Sequence, residues 1–324
     1  MSTLRTRRTT VHHPPALHTV SVVIPTRNRG SLIEETIRSL LAMSHRDFEL
    51  IVVDQSTNER TREAVEAVAG SDPRVRVCRS MTVGSSAARN VGASESQGDV
   101  VAYTDDDCIV APGWLNGILE EFVEPRVAAV FGRLLPFESG PRTGREVGFK
   151  AAMQRAEFDR PTPPWYIGHG GNMAFLRSVL LDLGGFDPLL GAGGVFGAWE
   201  DPDVALRLLR AGRRIVYAPD ALAYHKHWKD WPAQRRMERA YGIAAGAEFA
   251  KYMRCGDVYG ARLLATWVWQ MGVRRLGAGL LKWRSLKTMY LGYCQLVYPW
   301  IGVVRSARYR VDRAKAIYLE PDGS

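Results

Sequence analysis

The first half of this sequence predicts an α/β fold built on a parallel, doubly wound sheet. Continuous apolar runs alternate with segments whose apolar residues recur at helical spacing. Each run also ends in a cluster of polar side chains. In open α/β sheets ligands bind at the carboxyl ends of the strands, where these clusters fall.

Thr19–Thr26 (TVSVVIPT) reads as a strand covered on both faces. Ser31-Leu-Ile-Glu34 has the form of a capping box, opening a helix whose inner face is Ile33, Ile37, Leu40 and Leu41. Phe48–Asp54 is the second buried strand. A helix from about Asn58 to Ala69 follows, with Gly70 as its stop. Val75–Arg79 is the third strand, and Arg89 to Ser96 a short helix. Val100–Asp107 (VVAYTDDD) is a fourth strand that ends in carboxylates. Arg133 to Pro164 is rich in Gly, Pro and charge and reads as a long loop with a short helix, shaped like a lid. Arg214–His225 contains one or two strands. After Trp231 the pattern is helical and basic to the end.

The 324 residues (36.1 kDa) are 46% apolar and 24% charged, which excludes a disordered chain, a collagen or a small disulfide scaffold. Cys78, Cys108, Cys255 and Cys294 form no CxxC pair, so a zinc site or disulfide framework is not expected, and reduced thiols suit a cytosolic setting. Residues 1–18 are basic without an apolar stretch and read as a flexible tail rather than a secretory signal. Thr288–Val304 is apolar but broken by Gln295 and Pro299, so it reads as interfacial or buried rather than spanning.

Charge is uneven. Residues 1–204 hold 21 basic and 26 acidic side chains; residues 205–324 hold 22 and 8. Such a basic third points to an anionic partner or to a solvated face. Trp267, Trp269, Trp283, Tyr290, Tyr293, Tyr298 and Trp300 interleave there with Arg262, Arg274, Arg275, Lys282, Arg284 and Lys287. Aromatic and basic helices suit an anionic membrane surface; the alternative is a helical subdomain with an aromatic core. No nucleic-acid-binding module occurs, so nucleic acid is not an expected partner.

Asp105-Asp106-Asp107 closes an apolar strand. Adjacent carboxylates repel unless a cation neutralises them, and hard oxygen donors at a strand tip suit Mg²⁺ or Mn²⁺ holding a diphosphate. Glu200-Asp201-Pro202-Asp203 precedes a helical pattern. Pro202 at the first helical position makes Asp201 the N-cap, while the same place at a cleft suits a general base, with Glu200 competing for that role. His225 is either structural or a third, borderline ligand beside two aspartates. Gly168–Asn172 and Gly191–Gly197 match neither a Walker A loop nor GxGxxG, and read as loops framing a pocket.

Together these residues resemble the glycosyltransferase family 2 enzymes of the GT-A fold, over about Val20 to His227. The ordered elements are Ser21–Arg29 (SVVIPTRNR), Val52–Thr57 (VVDQST, with Gln55 and Ser56 replacing the usual Asp-Gly), Gly84–Asp99, Tyr103–Cys108 (YTDDDC), Trp199–Gly212 and Pro219–His225. The resemblance implies a Rossmann-like, mostly parallel sheet over residues 19–230; residues 231–324 read from their own pattern as a helical, basic and aromatic extension. It implies that Pro25, Thr26, Arg27, Asp54 and Arg89 bind the nucleotide, most often of a UDP-sugar. Asp105 would lie at the ribose and metal, with Asp107 and His225 as further metal ligands. Asp201 would be the general base with Glu200 beside it, and Trp199 and Asn172 would face the acceptor. The implied activity is metal-dependent, inverting sugar transfer to a glycan or lipid-linked glycan, as in bacterial cell-surface polysaccharide assembly. The reduced thiols and the basic, aromatic helices point to a cytoplasmic location, peripheral at the inner membrane face. The competing readings are a catalytically silent scaffold of the same fold that docks on membranes or partners, and a nucleotidyltransferase. The latter would show a glycine-rich basic loop after the first strand, where only Gly30 occurs.

Overall fold

The computed structural model describes residues 19–137, 145–146, 150–226, 228–282 and 284–319. The chain forms β1 (Val20–Thr26), α1 (Glu34–Leu41), β2 (Glu49–Asp54), α2 (Arg60–Ala69), β3 (Val75–Arg79), α3 (Ser85–Glu95), β4 (Val100–Thr104) and β5 (Cys108–Val110). Next come α4 (Trp114–Leu119), β6 (Val127–Pro136), β7 (Arg145–Glu146), β8 (Ala156–Phe158), β9 (Asn172–Leu176), α5 (Arg177–Asp182), α6 (Glu200–Arg210), β10 (Arg214–His225) and β11 (Trp228–Lys229). The last part is α7 (Trp231–Arg254), α8 (Tyr259–Trp267), α9 (Arg274–Gly277), α10 (Leu286–Ser306), β12 (Val311–Asp312) and β13 (Ile317–Tyr318).

The main sheet runs β3-β2-β1-β4-β9-β6-β10-β5, with β8 also on β10. The expected α/β class holds, and the parallel set is β3-β2-β1-β4 plus the pair β6-β10. β9 runs antiparallel to both β4 and β6, so the sheet is mixed. Val22, Ile24, Leu50 and Val52 fill the core on one face, and Val23, Ile51, Val53 and Tyr103 the core on the other. This is why the early strands read as unbroken apolar runs. Register aligns their ends: Thr26 is opposite Asp54, and Asp54 opposite Arg79. α3 lies close on β1 because residue 92 is glycine; a Cβ there would come within 2.3 Å of the Val23 side chain.

Several boundaries differ from the sequence reading. Ser31 makes no capping bond, since a 3₁₀ turn over Gly30–Ile33 leads into α1. α3 starts at Ser85, four residues before the expected Arg89. α6 starts at Glu200, not after an Asp201 cap: Trp199 enters it at φ 79°, and Asp201 and Pro202 lie in its first turn. Glu200, Asp201 and Asp203 there face the positive end of the helix dipole. The predicted lid falls partly on residues 138–144 and 147–149, outside the described residues; the rest holds the end of β6, β7 and β8. The 1–18 tail and Trp283 also lie outside them. The C-terminal part is helical to Ser306, then closes in the β12–β13 hairpin.

α7 and α10 cross in backbone contact. A Cβ on Gly246 would lie 1.8 Å from the Pro299 carbonyl oxygen, and one on Gly302 1.9 Å from that of Ile243. α7 is joined to α6 by a buried ion network. Lys251 Nζ lies 2.6 Å from Asp203, 2.8 Å from Asp187 and 2.9 Å from Glu248. Arg207 holds Asp203 at 2.7 Å from the next turn of α6. Burial, with Asp203 nearby, pushes the Glu248 carboxyl well above its usual range. Asp187 and Asp203 face Lys251 and Arg207. The hairpin joins in as well, because Tyr318 N donates to Asp187 (2.9 Å). Removing one partner of a buried pair leaves the other charge uncompensated. Lys251→Met is therefore expected to cost about 3–5 kcal/mol in chemical denaturation. A loss below about 1 kcal/mol, the range of exposed pairs, would contradict this account.

Candidate active site

Two adjoining cavities, of 590 and 470 Å³, open at the carboxyl edge of the sheet. Arg89, Asp105, Glu200, His225, Met237 and Tyr241 line both, so they form one cleft. Pro25, Thr26 and Arg27, the end of β1 and the residue after it, line the first cavity, as does Gln55. Asp201, Trp199 and the His169-Gly-Gly171 turn line the second. The Gly168–Asn172 and Gly191–Gly197 segments do frame the pocket: Gly170 lies against Arg89 and Asp201, and Ala192 faces both cavities.

Arg89 is the centre of the cleft. It is buried on α3, donating to Glu200 at 2.6 Å and to Asp105 at 3.0 Å. The Tyr103 hydroxyl donates to its carbonyl (3.2 Å) and holds that turn on β4. Burial disfavours the Arg89 charge, but Glu200 and Asp105 outweigh it and hold its pKa above the ordinary value. Glu200 also accepts from Ser85 Oγ (3.2 Å).

The carboxylate triplet is divided by its surroundings. Asp106 is buried and paired with Arg29 Nε at 3.0 Å; its carbonyl accepts from Thr36 Oγ1. Burial raises the Asp106 carboxyl to about 6, with Arg29 opposing. Asp105 and Asp107 turn toward the cleft. His225 ends β10 opposite Cys108, and its Nε2 lies 3.3 Å from Asp107. Donor atoms of Asp105, Asp107, Cys108 and His225 all lie within 4.8 Å of one another. Burial, with Asp105 and Asp107 beside it, raises the Cys108 thiol well above its ordinary value. The two carboxylates and one imidazole of the set fit a hard divalent cation such as Mn²⁺ or Mg²⁺.

Asp201 follows Glu200 on the first turn of α6. Desolvation under the cleft wall, then the Glu200 charge, push its carboxyl up to about 8 against the pull of Arg89. Trp199, with φ in the left-handed region, is fixed by ring contacts with Phe249 (5.2 Å), Trp267 (5.1 Å) and Trp165 (6.2 Å). A bulky residue there costs about 1–3 kcal/mol, which the aromatic packing must offset.

Two expected site residues, Asn172 and Asp54, lie away from the main cleft. Asn172 does not face a ligand. It is fully buried, its amide donating to the Arg133 (2.8 Å) and Ala221 (2.7 Å) carbonyls and accepting from Trp114 Nε1 (2.8 Å). It staples the irregularity where β10 takes three extra residues, Pro219 to Ala221, against β6. Asp54 does not reach the main cleft. It accepts from Ser56 N (2.9 Å) and lines a separate 290 Å³ cavity with Glu59 and Arg79. Trp199 lines the second cavity, but only 5% of it is exposed because its ring belongs to the core.

Sequence reading missed Arg29, which clasps Asp106 and lies 3.5 Å from Asp107. Its place three residues beyond β1, beside an acidic strand end, was the available signal. It also missed Arg236, Met237 and Tyr241 of α7, which wall the second cavity. No local pattern marks them, because only tertiary packing brings α7 over the cleft.

The glycosyl transferase family 2 model matches residues 21–184. The pre-mycofactocin glycosyltransferase of Mycobacterium tuberculosis is 31% identical over 248 residues, covering 73% of this chain and 50% of that protein. The glucosyl-dolichyl phosphate glucuronosyltransferase of Haloferax volcanii is 27% identical over 249 residues, covering 68% and 75%. The chain thus spans about half the length of the mycobacterial relative. A mannosyltransferase from Pyrobaculum calidifontis, solved with GDP-Man and Mn²⁺, superposes with a TM-score of 0.60 at 20% identity over 89% of this chain and 87% of that one. The fold is therefore GT-A-like, and from the match over residues 21–184 the chain belongs to glycosyl transferase family 2.

Proposed function

We propose that this protein transfers a sugar from a nucleotide-sugar, a UDP-sugar before a GDP-sugar, to a hydroxyl of a glycan or lipid-linked glycan. We place the reaction on the cytoplasmic side of a membrane, with inversion at the anomeric carbon. The observation that carries this reading is the continuity of the cleft: the hard-cation donor set and the Asp201 carboxyl share it, joined by Arg89. Mn²⁺ in the structures of the mannosyltransferase with GDP-Man and of GalNAc-T7 with UDP and GalNAc supports a metal-dependent reading.

In this reading Pro25, Thr26 and Arg27 hold the nucleoside in the first cavity. Asp105, Asp107 and His225 would hold a Mn²⁺ or Mg²⁺ ion, which supplies positive charge for a departing diphosphate. Arg89 keeps Asp105 and Glu200 in place and adds a fixed cation beside them. Glu200 is engaged by Arg89 and Ser85, so Asp201 is the carboxylate left to accept the proton of an acceptor hydroxyl from the second cavity. Residues 19–230 carry the donor side, and α7 adds the acceptor wall.

Asp201→Asn is expected to lower kcat of sugar transfer or donor hydrolysis by about 10²–10⁴-fold while nucleotide binding persists. Turnover near wild type would remove Asp201 from the base role and return weight to a silent scaffold.

A general base must be ionised, so activity should rise with pH through about 8. The same shift affects stability. A carboxyl raised from about 4 in the unfolded chain contributes stability that is fully present below that value and lost as pH rises through about 8. Glu200→Gln removes the second cause of the shift and should move the Asp201 titration, followed by carboxyl NMR in metal-free protein, to lower pH. An unmoved midpoint would contradict the electrostatic account.

A further inference from the structure

Between Asp257 and Asp312 the sequence holds nine Lys and Arg side chains and no carboxylate. This stretch is α8, α9 and α10 with the π-helical turns Val268–Val273 and Ala278–Lys282 between them. A mixed surface would scatter both signs of charge. Here the cations stand around exposed apolar side chains instead.

On α10, Leu286, Tyr293, Trp300 and Val304 are exposed at spacings of seven, seven and four, which places them on one stripe of the helix. On the preceding helical segment, Trp269, Val273 and Leu280 repeat the same spacing logic, and Leu281 is 81% exposed. The two segments meet antiparallel, Gly272 against Leu296 and Gly279 against Met289. Their inner faces are well packed: Trp267 Nε1 donates to Gln295, and Arg275 pairs with Glu238 of α7 at 3.2 Å. The exposed stripes are therefore what an ordered subdomain leaves over. Among the described residues no helix is long and apolar enough to cross a membrane. Apolar residues flanked by Arg and Lys on helices not apolar enough to span lie in the interfacial plane of a bilayer.

We propose that residues 258–282 and 284–311 form a docking face for an anionic lipid bilayer. Three observations select this occupant. A second copy would bring two carboxylate-free cationic faces together, which is repulsive. A nucleic acid would gain little from exposed Leu280, Leu281 and Leu286. An anionic bilayer takes both features, because leucine and valine enter the acyl boundary, tryptophan and tyrosine sit at headgroup level, and Arg and Lys meet lipid phosphates.

The face also borders the cleft. The first turns of α7 put Ala233, Arg236 and Met237 on the second cavity. Another side of the same turns meets α10, where Trp231 packs on Tyr290 (5.6 Å) and Arg239 donates to the Tyr290 hydroxyl (2.9 Å). Docking would hold the second cavity near the membrane plane, where a lipid-linked acceptor lies. This consequence rests on the transfer reading, whereas the docking does not.

The test is co-sedimentation of the full chain with phosphatidylglycerol-containing vesicles, against pure phosphatidylcholine vesicles, over a salt series. Expected is binding that needs the anionic lipid and weakens with salt. Each cation near the surface is worth about fivefold, so Arg274→Gln, Lys282→Gln and Arg305→Gln together should weaken binding roughly hundredfold. Leu281→Ser with Leu286→Ser should weaken it at every salt concentration. Thermal response to nucleotide, read in parallel, separates the two proposals. A folded, nucleotide-responsive protein that ignores the vesicles overturns the docking and leaves transfer standing. Vesicle binding without any nucleotide response does the reverse. Equal binding to neutral vesicles, a stable dimer that the triple substitution dissociates, or binding to mixed-sequence RNA in place of vesicles would each overturn the proposal.

Discussion

The site depends on one buried cation. Arg89 joins the acidic end of β4 to the first turn of α6, two elements almost a hundred residues apart in sequence. Without it, Asp105 and Glu200 would stand as neighbouring, unpaired negative charges in a partly desolvated cleft. With it, both are held in fixed positions. Asp201, desolvated and beside the Glu200 charge, is pushed up to about 8 against the pull of the same arginine.

The position of α6 is constrained from behind. Asp203, two residues beyond Asp201, is fixed by Arg207 and by Lys251 of α7, and Asp187 ties the same lysine to the terminal hairpin. Trp199, immediately before the helix, is locked in a left-handed conformation by an aromatic cluster that draws on α7 and α8. The C-terminal helices are accordingly part of the cleft's support. The same helices face outward with a surface of opposite character, apolar and cationic.

Much of this was legible in the sequence because it is local. Buried parallel strands read as continuous apolar runs, and β1 to β4 fell within a few residues of their expected limits. Asp105, Asp107, His225, Glu200 and Asp201 were legible as strand-end and helix-start residues of chemically suited types, and the structure gathers them in one cleft. What was not legible is set by tertiary context. Asn172 carries an amide that suits a ligand or a backbone staple equally well, and only the three extra residues of β10 decide for the staple. Asp54 and Gln55 are neighbours on a strand end, where alternation sends one side chain away from the cleft. The walls contributed by α7 have no motif at all, and the antiparallel insertion of β9 is invisible to a pattern that reports burial but not direction.

The central claim is that Asp105, Asp107 and His225 form one metal-dependent nucleotide site with Arg89 and Asp201. Calorimetric titration of the metal-free protein with UDP and with GDP, each with and without Mn²⁺, tests it most directly. The account predicts that one nucleotide binds only when Mn²⁺ is present and that Asp107→Ala abolishes the heat while the protein stays folded. Binding of equal affinity without metal, or no binding of either nucleotide to the folded protein, would contradict it.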